Sequence, residues 1–179
     1  MEKIEDKAKQ QKMHKDFFDR CSKAIDNGFY MEAILMEYAA IDGRLEVMLG
    51  ILGLPCNKFL EDSERKKVQI SHRLECLSKI YAQNDEITAK SKFSKSFFKK
   101  IEKWVGKRNE YIHGLYKNEI KYTQRIKDSQ KFAEEGLVYC RKLYNEATRL
   151  RRLKKNTPNV FLESRACLSS KCNMKISVE

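Results

Sequence analysis

The stretch Arg108-Asn109-Glu110-Tyr111-Ile112-His113 combines a fixed cation with a proton-transfer group five positions away. A guanidinium grips a phosphate through paired, charge-assisted hydrogen bonds that lysine copies poorly. An imidazole exchanges a proton near neutral pH. RNA carries its own nucleophile, so these two groups meet the demands of its transesterification. A base takes the 2′-hydroxyl proton, an acid protonates the leaving oxygen, and a cation stabilises the phosphorane charge. No metal is needed. One histidine does not readily serve as base and acid at once, whereas two copies in a symmetric dimer divide the roles. The charge of Arg108 also favours a neutral His113, the form a base requires. Asn109 and His113 are four apart on a helix, so the amide either orients the ring or caps the helix. Tyr111 stacks on a base or belongs to the core.

Helices must deliver this segment. Phe17, Phe18, Cys21 and Ile25 mark a helix over Met13–Ile25, ended by Asn27-Gly28. Ile34, Tyr38, Ile41, Leu45, Met48 and Leu52 form a continuous apolar stripe over Tyr30–Leu52, stopped by Gly53 and Pro55. A third helix is predicted over Glu64–Ala82 from Ile70, Leu74, Leu77 and Tyr81, with a turn at Asn84-Asp85. The fourth begins near Ser91, with Phe97, Ile101 and Trp104 facing inward. The fifth covers Glu119–Lys154 through Ile126, Ala133, Leu137, Cys140, Tyr144 and Ala147, and Thr157-Pro158 breaks it. Only Asn159–Leu162 carries a trace of strand pattern. The expected architecture is an all-α, up-and-down bundle of four to five helices in residues 1–155, followed by a C-terminal tail, 156–179, partly ordered or disordered.

One more step of four along Phe97, Ile101 and Trp104 lands on Arg108. A guanidinium on a buried face needs an internal carboxylate, a partner subunit or a bound phosphate, because an isolated buried charge is too costly. Glu37, Asp42 and Glu46 on the second helix are the candidate carboxylates. Gly106 and Gly114 flank the segment and offer a second outcome, a backbone loosened enough to release the side chains. Arg108 is thus either functional or half of a structural ion pair.

Composition narrows the ligand. With 7 Gly and 2 Pro among 179 residues, the chain has little material for an all-β fold. No apolar run approaches the roughly 20 residues of a membrane span. The charged N-terminus lacks a signal-peptide core, so a cytoplasmic protein is expected. The six scattered cysteines read as reduced thiols. Cys21, Cys76 and Cys140 suit a core, while Cys167 and Cys172 lack companions for a zinc site. No metal or cofactor is expected. The net charge of +12 is concentrated: Lys90–Lys155 holds 20 Lys/Arg against 7 Asp/Glu. That excess favours a polyanion, RNA above all, with Lys99, Lys100, Lys103, Lys107 and Lys117 as phosphate contacts beside Tyr111. A solvated lysine face is the alternative.

Arginine and histidine a few residues apart are common by chance. Arg65 and His72 match as well, though no Asn follows that arginine. The Arg108 copy adds Asn109, tight spacing, Gly114 and an aromatic-rich helix. In this context roughly Phe29 to Leu153 resembles the HEPN superfamily, small helical bundles with an Arg-x4–6-His motif that often begins Arg-Asn. The resemblance implies a homodimer whose two motifs share one cleft, and a metal-independent endoribonuclease with Arg108, Asn109 and His113 at its catalytic centre. It also implies a toxin–antitoxin or antiviral defence setting, with an antitoxin or regulatory protein as partner. Some members carry a Tyr two positions after the His, whereas Tyr116 lies three after it. Other members lack catalysis. The alternatives are therefore a non-catalytic nucleic-acid-binding or dimerisation module of that fold, and a helical protein–protein adaptor. His14 and His72 are expected at the surface or at helix starts.

Overall fold

The computed structural model describes residues 2–53, 70–89, 91, 93–114 and 122–157. Among them the elements are α1 (Glu2–Asp26), α2 (Tyr30–Ile51), α3 (Ile70–Gln83), the one-turn α4 (Asp85–Thr88), α5 (Lys95–Gly114) and α6 (Tyr122–Asn156). The fold is an all-α bundle, with no strand among the described residues. Residues 64–69 of the predicted third helix, Pro55, Asn159–Leu162 and the proposed tail from Pro158 onward lie outside the described residues.

The first turn forms where Asn27-Gly28 predicts it. Gly28 takes a φ of +80°, accessible to glycine at little cost. Its N–H donates to Ile25 O at 3.0 Å and the Phe29 N–H reaches back to Ala24 O at 2.8 Å, which together cap the last carbonyls of α1. At the Asn84-Asp85 turn the chain makes one helical turn rather than a plain bend. The Asn84 Oδ1 accepts from the Ile87 N–H at 2.9 Å and so starts α4.

Side-chain partners fix the directions. His14 and Phe18 of α1 meet Tyr144 of α6, and His14 meets Arg44 of α2, so α1 runs opposite to both. Tyr30 bonds Gln130, Cys140 bonds the Glu37 carbonyl and Lys154 bonds the Ile51 carbonyl, so α2 and α6 are parallel neighbours. Phe97 packs on Tyr139, Trp104 on Phe132 and Tyr111 on Phe132, making α5 antiparallel to α6.

Ile34, Ile41, Leu45, Met48 and Leu52 are fully buried, as the stripe on α2 requires. Ile70, Leu74, Leu77 and Tyr81 of α3 and Phe97, Ile101 and Trp104 of α5 join the same core. Trp104 stacks on Phe132, with centroids 5.0 Å apart, and donates its indole N–H to the Phe132 carbonyl at 3.0 Å. The end of α3 and the start of α5 are tied to α6 by a polar cluster. Buried Glu146 accepts from the Tyr81 hydroxyl at 2.6 Å, the Ser91 hydroxyl at 2.8 Å and Arg149 Nη2 at 2.7 Å. Arg149 Nη2 also reaches the Ile87 carbonyl at 2.5 Å. Burial opposes the Arg149 charge, but Glu146 outweighs it and raises the Arg149 pKa. With its partners in place, a buried carboxylate here secures one packing arrangement. Among the described residues no helix is long and apolar enough to cross a membrane.

Candidate functional site

Helix α5 runs unbroken from Lys95 to Gly114, so its register carries the spacing of the aromatic stripe through Gly106 to Arg108. The backbone does not loosen at Gly106. Arg108 therefore lies on the inner face, where its guanidinium sits over the Tyr38 ring of α2, 4.2 Å from the centroid. Its Nη1 donates to the Asn109 Oδ1 at 3.0 Å. Its Nε is buried, with no hydrogen-bond partner among the described residues. Aromatic stacking and one amide thus fix the guanidinium plane without neutralising its charge.

The expected carboxylate partners of Arg108 are engaged elsewhere or turned away. Asp42 and Glu46 face α3, where Arg73 pairs with Asp42 and lies 3.6 Å from Glu46. Glu37 precedes Tyr38, and one residue is about 100° of helix rotation. Tyr38 thus meets Arg108 while Glu37 enters the core beneath α6. None of the three pairs with Arg108.

Of the two readings of Tyr111, base stacking or packing, the structure shows the packing contacts. Its ring stacks on Phe132 with centroids 5.9 Å apart, and its hydroxyl hydrogen-bonds Ser129. An inner-face position three residues beyond Arg108 commits it to packing. Asn109 is exposed and holds Arg108 through its oxygen, a role distinct from ring orientation or capping. By register His113 follows Asn109 on one face, about 40° round the helix, and is about 140° round from Arg108. The His113 side chain and Lys117 lie outside the described residues. Lys99, Lys100, Lys103 and Lys107 are all exposed on the outer face of α5, which Glu102 and Glu110 share.

His14 corrects its expected surface placement. It is half-buried in mid-α1, because it continues the Phe18, Cys21, Ile25 stripe back by one step of four. His72 is exposed near the start of α3, and Arg65 lies outside the described residues. Cys21, Cys76 and Cys140 are free buried thiols, as the core reading requires. Burial and then Glu37 push the Cys21 thiol up to about 12 and raise Cys140 too, so neither supplies a thiolate at neutral pH. Cys56, Cys167 and Cys172 lie outside the described residues. Among the described residues no group of three or more His, Cys, Asp or Glu side chains is placed to hold a metal ion.

The Glu37 environment escapes a simple hydrophobic pattern. Its side chain is fully buried, with neither carboxyl oxygen hydrogen-bonded among the described residues. Desolvation pushes its pKa up to about 9, so it is protonated at neutral pH. Gly136 of α6 makes room for it: a Cβ there would lie 2.2 Å from the Glu37 Oε2 and 2.5 Å from the Trp104 Cζ2. The signal was available, since Glu37 lies three residues after Ile34 and four before Ile41 on the stripe, and Gly136 interrupts an otherwise strong helix-forming run.

No protein-family model, curated protein or solved structure matches the chain.

Proposed function

We propose that the chain is a HEPN-type, metal-independent endoribonuclease of bacterial toxin or defence character, acting as a homodimer with a shared catalytic cleft. The observation that carries this reading is the state of Arg108: a guanidinium on the inner face, stacked on Tyr38, with no carboxylate partner among the described residues. Phosphate supplies the missing counter-charge. Arg73 and Arg149, two other partly or fully buried arginines, each have a glutamate or aspartate.

The register of α5 supports a two-chain site. Arg108 and His113 diverge by about 140° around one helix, a poor arrangement for enclosing a single phosphate from one copy. Two-fold symmetry brings two arginines and two histidines to one cleft, enough for a separate base and acid. One His113 takes the 2′-hydroxyl proton as that oxygen bonds to phosphorus. The P–O5′ bond breaks, and the second His113, protonated, gives its proton to the departing 5′-oxygen. Arg108 balances the charge on the phosphorane oxygens. The exposed lysines of α5 hold the flanking backbone, which makes binding salt-dependent.

Purified protein incubated with total RNA in EDTA tests the reading. The expected products carry 2′,3′-cyclic phosphate and 5′-hydroxyl ends. An absolute requirement for Mg²⁺, or products with 5′-phosphate ends, overturns it. RNA retention without cleavage would instead establish the non-catalytic binding module.

A further inference from the structure

A second basic constellation lies where α1 packs against α2 and α6. The Arg44 Nη2 is 2.7 Å from the Nδ1 and 2.9 Å from the Nε2 of His14. The in-plane directions of those nitrogens diverge, so one Nη2 makes a proper hydrogen bond to at most one of them. The Arg44 guanidinium also covers the Tyr144 ring, 4.9 Å from its centroid, and His14 meets the same ring edge-on at 4.7 Å. Tyr144 therefore braces both groups. Arg151, seven residues further along α6, lies on the same face of that helix and is exposed.

The charge balance separates this cluster from the Arg73 and Arg149 sites. Arg73 is paired with Asp42 and Glu46, and Arg149 with Glu146. Arg44 is half-buried too, yet no Asp or Glu among the described residues pairs with Arg44, His14 or Arg151. Arg44 faces another cation and an imidazole instead. Burial lowers the Arg44 pKa and Arg151 lowers it further, against smaller opposing effects of Tyr144 and Cys140. Burial, Arg44 and Arg151 lower the His14 pKa in turn. Each basic group thus raises the cost of the others, and an anion between them reverses the sign of every one of these interactions.

We propose that His14, Arg44 and Arg151 form a phosphate-binding site for RNA, with Tyr144 as the platform that fixes the Arg44 plane. Arg44 presents its free N–H edge, Arg151 closes from the exposed side, and His14 adds a third donor when protonated. The site is distinct from the one at Arg108. Arg44 follows Tyr38 by six residues, about 9 Å along α2 and about 120° round its axis. It does not depend on nuclease activity, and serves either a terminal phosphate or an internal phosphodiester.

The test uses the full chain carrying Arg108→Ala and His113→Ala, so that neither cleavage nor the first site contributes. The probes are inorganic phosphate and one oligoribonucleotide with a 5′-phosphate or a 5′-hydroxyl. The readouts are affinity and the His14 ring proton resonance, with exposed His72 as the internal reference. Phosphate is expected to move the His14 resonance and raise its titration midpoint. Arg151→Gln, at an exposed position, should weaken binding about tenfold with helical content unchanged, the scale of one lost charge-assisted contact. Arg44→Gln should abolish the His14 response. Tighter binding of the 5′-phosphorylated oligonucleotide, with competition by inorganic phosphate, identifies a terminal phosphate. Equal binding of both, weakened equally by Arg151→Gln, identifies an internal phosphodiester. An unmoved His14 resonance, or a response unchanged by Arg151→Gln, overturns the site.

Discussion

Replacing Arg108 or His113 with alanine is expected to lower RNA cleavage in EDTA by about 10²–10⁴-fold each, with helical content unchanged. The two losses have different origins. Loss of His113 removes the group that moves the proton, so the residual rate should no longer respond to pH across the imidazole range. Loss of Arg108 removes charge stabilisation but keeps the group that moves the proton, so the residual rate should still respond to pH. Arg108→Lys provides a finer comparison. It restores the charge, but neither the paired hydrogen bonds nor the guanidinium contact over the Tyr38 ring, and is expected to recover only part of the rate. Wild-type cleavage by either alanine variant would place the chemistry elsewhere in the chain.

Glu37→Met is expected to stabilise the protein and flatten its stability against pH. The Glu37 carboxyl has a raised pKa, about 9 folded against an ordinary 4.5. Below 4.5 both folded and unfolded chains hold the proton, and Glu37 contributes no pH dependence. Between 4.5 and 9 the unfolded chain releases a proton that the folded chain retains, so stability falls as pH rises. By pH 7 the accumulated loss is up to about 3 kcal/mol, at roughly 1.4 kcal/mol for each unit above the unfolded value. Methionine removes the ionisation and the unbonded oxygens while keeping a similar shape. Glu37→Gln should also remove the slope, but gain less because its buried amide has no better partners. Trp104, the one tryptophan of the chain, packs near Glu37 at Gly136 and reports unfolding by fluorescence. Denaturation from pH 5 to pH 9 checks the difference. Equal slopes in wild type and Glu37→Met would mean that Glu37 ionises normally in the folded protein.

Much of the fold is legible because period-3.6 burial dominates it. The stripe from Ile34 to Leu52, the Phe97–Ile101–Trp104 face and the Asn27-Gly28 stop all follow from local spacing. The same arithmetic puts Arg108 on the inner face, which the Tyr38 contact confirms. Partner choice is less legible, because it depends on how helices remote in sequence rotate against each other. Asp42, Glu46 and Glu37 share one helix with Tyr38, yet Asp42 and Glu46, about 40° and 80° round from Tyr38, go to Arg73, whereas Glu37, about 100° the other way, enters the core. Tyr111 illustrates the same point, as its hydroxyl partner Ser129 belongs to another helix. His14 differs for another reason: its polar chemistry points to the surface, while its position one step of four before Phe18 places it on the apolar stripe. Gly136 becomes meaningful only when α6 is laid against α2 and α5, because what it accommodates comes from both.

The composite cleft is tested most directly by a purified heterodimer of one wild-type chain and one Arg108→Ala/His113→Ala chain, isolated through two different affinity tags. A site complete within one chain would leave about half of the wild-type rate per dimer. A cleft that needs both histidines, one as base and one as acid, predicts a rate more than about tenfold below wild type, approaching that of the single His113→Ala homodimer. Half-maximal activity in that heterodimer contradicts the shared site.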